Sequence, residues 1–292
     1  MPNLPDKNTL KLSLAQWSLH KSILEHKTLP ALDFAQKARE LGFDAVEYVT
    51  RIYALPQDAG ATEINRLAAQ IKILSYDNGL TNLLIMVDRE GALAAPTATE
   101  RSMAIGRHIL WADAAAQLGC HSIRVNLSGS DTDYNIWKDA AADSLSRLAQ
   151  YAAQSNLNVI VENHGGFSSD AGKLTELLGD INMPNVGTLP DFGNFCIKRE
   201  GNKIWPSPCI EQYDKYLGVG QMMPFAKGVS AKAYEFDVNG NETTIDFVRM
   251  MDIIKKSGYS GHIGIEYEGS GMTEVEGIMA TKELLLRAAQ GV

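Results

Sequence analysis

The stretch NVIVENHGG, residues 158–166, decides the reading of the fold. A short apolar run, Val159 to Val161, closes on a carboxylate at Glu162 and is followed by a glycine-containing loop, so it reads as one strand. A helix is expected before it, over about residues 137–154, and a shorter one after it, around 174–178. The same alternation continues outward in both directions. Strands are expected in LKLSLAQW from Leu10, FDAVEYV (43–49), LTNLLIMVD (80–88), HSIRVNL (121–127), NVGTLPD (185–191), AKGVSAKA (226–233) and GHIGIEYEG (261–269). Helices are expected over about 30–41, 61–74, 97–118, 245–256 and 274–289, and a loop-rich stretch holds Pro206, Pro208 and Pro224. Eight strand–helix units of about 36 residues each predict a parallel sheet with right-handed crossovers, closed as a (β/α)₈ TIM barrel. The other architecture for such a pattern is an open doubly wound sheet. It normally carries a glycine-rich phosphate turn after the first strand, where this chain has Trp17-Ser18-Leu19-His20. No linker or low-complexity tract divides the chain, so residues 1–292 are read as one domain.

Composition narrows the function. The chain has 292 residues, 45% hydrophobic and 21% charged, with a formal net charge of −8. That acidic balance repels phosphate backbones and argues against nucleic acid as a partner. No apolar run approaches the ~18 residues of a membrane span, and the polar segment Met1 to Thr9 has no apolar signal-peptide core. Cys120, Cys196 and Cys209 show no close pairing and no C-x-x-C, which predicts free thiols in a reducing, cytoplasmic setting.

In a barrel, side chains alternate between the interior and the helix-facing exterior, and chemistry collects at the C-terminal ends of the strands. The exterior positions must be apolar, which sets the parity of each strand. Val159 and Val161 outward place Glu162 inward. Ile263 and Ile265 outward place Gly264 and Glu266 inward. Val229 and Ala231 outward place Ser230 and Lys232 inward. Ile123 and Val125 outward place Arg124 and Asn126 inward. Val46 and Tyr48 outward place Glu47 inward, and one consistent register of the sixth strand turns Leu189 and Asp191 inward. Three carboxylates, Glu162, Asp191 and Glu266, are therefore expected at one mouth. Burying them together needs a neutralising cation or proton, and oxygen ligands suit a hard divalent ion such as Mn²⁺ or Mg²⁺. His164 lies in the loop just beyond Glu162. His26, His108, His121 and His262 have no comparable setting and read as structural.

The segments LSLAQWSLH (12–20), VIVENHGG (159–166), TLPDFGNF (188–195) and GHIGIEYEG (261–269), in this order and spacing, resemble the xylose isomerase-like sugar isomerase and epimerase superfamily. The resemblance implies metal ligands at Glu162, Asp191 and Glu266, with the two glutamates also forming the acid/base pair. It departs from the pattern at two points. The seventh strand usually offers a histidine ligand in a His-x-Lys pattern, where this chain has Ser230-Ala231-Lys232, and Asn194 stands where a substrate-contacting histidine is common. Lys232 is then a source of positive charge for the reaction, and His164 an alternative nitrogen ligand.

The chemistry implied is proton transfer next to a carbonyl, through an enediolate, on a keto-sugar or polyol-derived ketone. Catalytic roles fall to Glu162, Glu266 and Lys232, and substrate contacts to Trp17, Glu47, Arg124, His164 and Asn194. The same abstraction with a leaving group β to the carbonyl would make a dehydratase or lyase. A non-catalytic sugar-binding barrel is the alternative outside enzymology. A second copy of the chain is a partner that the sequence leaves open.

Overall fold

A computed structural model of the chain describes residues 10–129, 133–202 and 207–291. Met1 to Thr9 and Pro206, which figure in the sequence reading, lie outside them. Eight parallel strands form the main sheet: β1 (Leu12–Ala15), β2 (Ala45–Val49), β3 (Thr81–Met86), β4 (Ser122–Val125), β5 (Asn158–Glu162), β6 (Val186–Leu189), β9 (Val229–Ala233) and β10 (Ile263–Tyr267). Their order is β6-β5-β4-β3-β2-β1-β10-β9. The ring closes between its two ends, where Asp191 bridges Ser230 and Thr188 bridges Ala226 in parallel. Ser230 N–H donates to Pro190 O at 2.9 Å, and Phe192 N–H donates to Ser230 O at 3.1 Å. The closed eight-stranded (β/α)₈ barrel is the expected architecture, and closure removes the free sheet edges.

Helices α1 (Phe34–Glu40), α2 (Ala61–Asp77), α3 (Ala98–Leu118), α4 (Tyr134–Ala152), α5 (Ala171–Ile181), α6 (Lys215–Met222), α7 (Phe247–Lys256) and α8 (Glu274–Gln290) accompany the strands. Six of their starts are written in short polar residues. Thr97, Asp133, Asp170, Asp214, Asp246 and Thr273 each accept a hydrogen bond from a backbone N–H of the first turn, satisfying donors that have no partner within the helix. Val159, Val161, Ile263, Ile265, Val229, Ala231, Ile123, Val125 and Val46 are all inaccessible in the layer between strands and helices, as the parity argument requires. The inward Leu189, Leu84 and Ile160 converge on Gly228 and fill the barrel floor. Among the described residues no helix is long and apolar enough to cross a membrane.

The sequence reading is corrected between β6 and β9. The loop-rich stretch holds α6 and an antiparallel hairpin, β7 (Cys196–Arg199) with β8 (Cys209–Gln212). The hairpin places Cys196 and Cys209 side by side, and they form a disulfide with Cα atoms 5.8 Å apart. The expectation of three free thiols therefore fails for two of them. Cys120 is free and buried. The pairing was invisible in sequence because the two cysteines, 13 residues apart, approach only in the folded, irregular hairpin.

Candidate active site

The polar residues that parity turns inward on β4, β5, β9 and β10, together with Asp191 after β6, reach the same mouth, where their contacts form a continuous arc. It starts at Asp88, just beyond β3, whose Oδ1 accepts from Arg124 at 2.7 Å and from Asn126 at 3.0 Å. Arg124, on β4, spans to Glu162 at the end of β5, with Nε 2.8 Å from Oε2. The other oxygen of Glu162 accepts from Asn194 Nδ2 at 2.9 Å. Asp191 follows. Its Oδ1 accepts from the backbone N–H groups of Gly193 and Asn194 at 2.8 and 2.9 Å, and its Oδ2 accepts from Ser230 Oγ at 2.7 Å. Lys232 lies between the next carboxylates, with Nζ 3.7 Å from Asp191, 3.0 Å from Glu266 and 3.6 Å from Glu268. Glu268 accepts from Trp17 Nε1 at 2.5 Å.

Local sequence explains the precision. Asn163 follows Glu162 and is fully buried. Its amide donates to the carbonyls of Asp191 and Asn194 at 3.0 and 3.1 Å and accepts from Asp191 N–H at 2.8 Å. One side chain thus staples the end of β5 to the loop after β6. Gly165, at φ 96° and ψ 161°, makes the turn beyond it in a region open essentially to glycine. On β10 the small residue is needed for space: a Cβ on Gly264 would lie 2.5 Å from a Glu47 carboxylate oxygen. Glu47 leans over that gap and accepts from Ser13 Oγ at 2.6 Å.

Five carboxylates, Asp88, Glu162, Asp191, Glu266 and Glu268, meet two buried cations, Arg124 and Lys232. Burial opposes the charge of both cations. For Arg124 it is outweighed by Asp88 and Glu162, and for Lys232 by Asp191, Glu266 and Glu268, so both stay charged well above their ordinary ranges. Burial raises Glu266 and Asp191, and neighbouring carboxylates add to the rise against the pull of Lys232. Glu268 and Asp88 are instead held low, as Lys232 and Arg124 overcome the burial cost. The mouth thus holds carboxylates biased toward the acid form beside carboxylates held ionised, a division that suits proton transfer. Glu162 Oε2 and Arg124 Nε are buried and spent on each other at 2.8 Å, whereas Asn126 Oδ1 and Glu47 Oε2 are buried with no hydrogen-bond partner among the described residues. Such orphaned polar atoms are rare in a finished interior and point to a polar ligand.

The remaining candidates divide. Asn194 is in the arc. Trp17 is half-buried, stacks on His20 with centroids 4.5 Å apart and carries the Arg51 guanidinium 4.8 Å from its ring, so it forms a braced wall of the mouth. His164 is exposed on its loop, near enough to Asp88 and Glu268 to favour their charged forms. Glu47 sits deeper and is pushed by burial from its ordinary 4.5 to about 7. Asp88 and Glu268 were missed in the sequence. The signal was present, since Asp88 closes LTNLLIMVD and Glu268 stands two residues beyond Glu266, on the same face of an extended chain.

Glu47 carries a pH prediction. The folded state keeps its proton up to about pH 7, whereas the unfolded chain releases it near 4.5. The folded state therefore binds the extra proton between these values, and stability falls as pH rises from 4.5 to 7. A shift of that size corresponds to about 3 kcal/mol. Glu47→Gln should flatten the slope and raise the urea midpoint at pH 8 by an amount worth roughly 1–3 kcal/mol. An unchanged slope would show that Glu47 is ionised in the folded chain.

A divalent ion was the sequence expectation for Glu162, Asp191 and Glu266. The three do face one mouth, but most of their oxygens are already engaged: both of Glu162 by Asn194 and Arg124, both of Asp191 by Ser230 and two N–H groups, and Oε1 of Glu266 by Lys232. Among the described residues no group of three or more His, Cys, Asp or Glu side chains is arranged to hold a metal ion. The donor set as it stands does not fit one without displacing Lys232.

Residues 35–288 match the family model described as xylose isomerase-like TIM barrel, and the chain belongs to that family. Among solved structures, an L-ribulose 3-epimerase is similar at TM-score 0.70 and 16% identity, over 97% of this chain and 96% of that one. The 3-keto-D-glucoside 4-epimerase YcjR from E. coli follows at TM-score 0.69 and 14% identity, over 94% and 99%. A xylose isomerase-like TIM barrel protein from Mycobacterium smegmatis, in complex with magnesium, is similar at TM-score 0.68 and 15% identity, over 99% of each chain. At these identities the likeness is one of fold. No curated protein matches the sequence.

Proposed function

We propose that this chain is a sugar epimerase or isomerase that moves a proton on the carbon beside a carbonyl of a keto-sugar or polyol-derived ketone. The observation that carries the reading is the pair Glu162 and Glu266, delivered by β5 and β10 to one mouth, each beside a buried cation. The epimerases among the structural relatives support it. Glu162, paired with Arg124, is the base that takes the proton from carbon. The oxygen of the resulting enolate meets Lys232, whose ammonium stabilises the developing charge. Glu266, biased by burial toward its acid form, returns a proton to the same carbon. Asn194 and Asn126 hold hydroxyls, and Trp17 walls the carbon chain. The resemblance and the magnesium-bound relative support a divalent ion at Glu162, Asp191 and Glu266, but the engaged donor set gives no step through one. The acid form of Glu266 equally suits protonation of a departing oxygen, which would turn the same abstraction into elimination.

Incubation of the purified chain with a panel of ketoses and 3-keto-glycosides in D₂O tests the reading. Deuterium should enter one carbon beside the carbonyl, with a new epimer or aldose–ketose isomer in the product. Elimination would instead yield an unsaturated or dehydrated product. Binding of a sugar with no exchange at any carbon would leave a binding barrel and overturn the proposal.

A further inference from the structure

We infer that Lys232 is the resident cation of this site, standing in the place where a divalent ion would bridge the carboxylates, and that the chain performs its chemistry without such an ion. The inference deepens the proposed epimerase reading and rests on it only for the reaction served.

Three observations on one wall of the barrel carry it. The ammonium lies 3.0 Å from Glu266 and 3.7 Å from Asp191, so it occupies the point that these two ligands would share. It is 3% exposed and cannot leave for solvent without abandoning three carboxylates. An ammonium also has no lone pair to offer a metal. The other inward position of β9 is Ser230, and its hydroxyl is spent on Asp191. The strand thus supplies neither a nitrogen ligand nor a free oxygen. Across the mouth, Arg124 performs the same neutralisation for Glu162. The two fixed cations divide the carboxylates between them.

The consequence reaches the substrate. A divalent ion can chelate a carbonyl together with its neighbouring hydroxyl, whereas an ammonium is a compact point charge with single-oxygen reach. The substrate class that fits is a ketone whose enolate charge gathers on one oxygen facing Lys232. A free hydroxyl beside the carbonyl is then not needed for activation.

The test is titration of the wild-type chain with MnCl₂, read by electron paramagnetic resonance, beside turnover with and without EDTA. The aqueous Mn²⁺ signal should keep its full amplitude, and EDTA should leave any turnover unchanged. The Ser230→His/Lys232→Ala double variant restores a nitrogen ligand and removes the ammonium, and it should take up Mn²⁺ with loss of that signal. Stoichiometric uptake by the wild type, or EDTA abolishing its turnover, would overturn the inference. The wild-type titration decides the matter even if the double variant does not fold. If no sugar is turned over, the epimerase reading fails while the metal titration still decides the role of Lys232.

Discussion

Glu162→Gln and Glu266→Gln are each expected to lose about 10²–10⁴-fold in turnover with the barrel still folded, because glutamine keeps the shape but cannot exchange a proton. The two losses should differ in kind. Glu162→Gln removes the base, so deuterium should stop entering the substrate. Glu266→Gln leaves abstraction intact, so Glu162 can return a deuteron to the face it came from. That variant should label the substrate while making little of the opposite epimer. The asymmetry follows from the surroundings: Glu162 is paired with Arg124, whereas burial and its carboxylate neighbours bias Glu266 toward carrying a proton. Wild-type exchange in Glu162→Gln would remove it as the base, whatever the fate of the barrel.

The second large effect is on stability. Arg124 is 4% exposed and links Asp88 at 2.7 Å with Glu162 at 2.8 Å. Breaking a buried pair from one side leaves uncompensated charge and costs about 3–5 kcal/mol. Arg124→Met should therefore lower the urea midpoint by that amount with an unchanged slope. Adding Glu162→Gln to it should recover part of the loss, since the second change removes one of the stranded charges and contacting residues do not add independently. A loss under about 1 kcal/mol, the range of exposed ion pairs, would mean that water screens the mouth and that the cations there do not neutralise it.

The disulfide and the lysine show where sequence reading stops. Period-two parity needs only local chemistry: an apolar residue must face the helices, so its neighbours must face the axis. That argument correctly turned Glu162, Asp191, Lys232, Glu266 and Arg124 to one mouth, and the same rule reached Asp88 and Glu268 had it been carried two residues further. The hairpin between β6 and β9 has no such period. Its strands are four residues each and irregularly paired, with Cys196 opposite Gln212 and Cys209 opposite Arg199, so the approach of Cys196 to Cys209 exists only in the folded hairpin.

By itself, the sequence determined the eight-unit alternation, the barrel and the inward set of six of its strands, because hydrophobic periodicity is a one-dimensional property of the chain. Only the tertiary structure decided which inward groups neutralise one another. Lys232 and Glu266 are 34 residues apart in sequence and directly opposite in the register of β9 and β10. Their 3.0 Å contact, and the exclusion of solvent that makes it strong, exist only once the ring has closed.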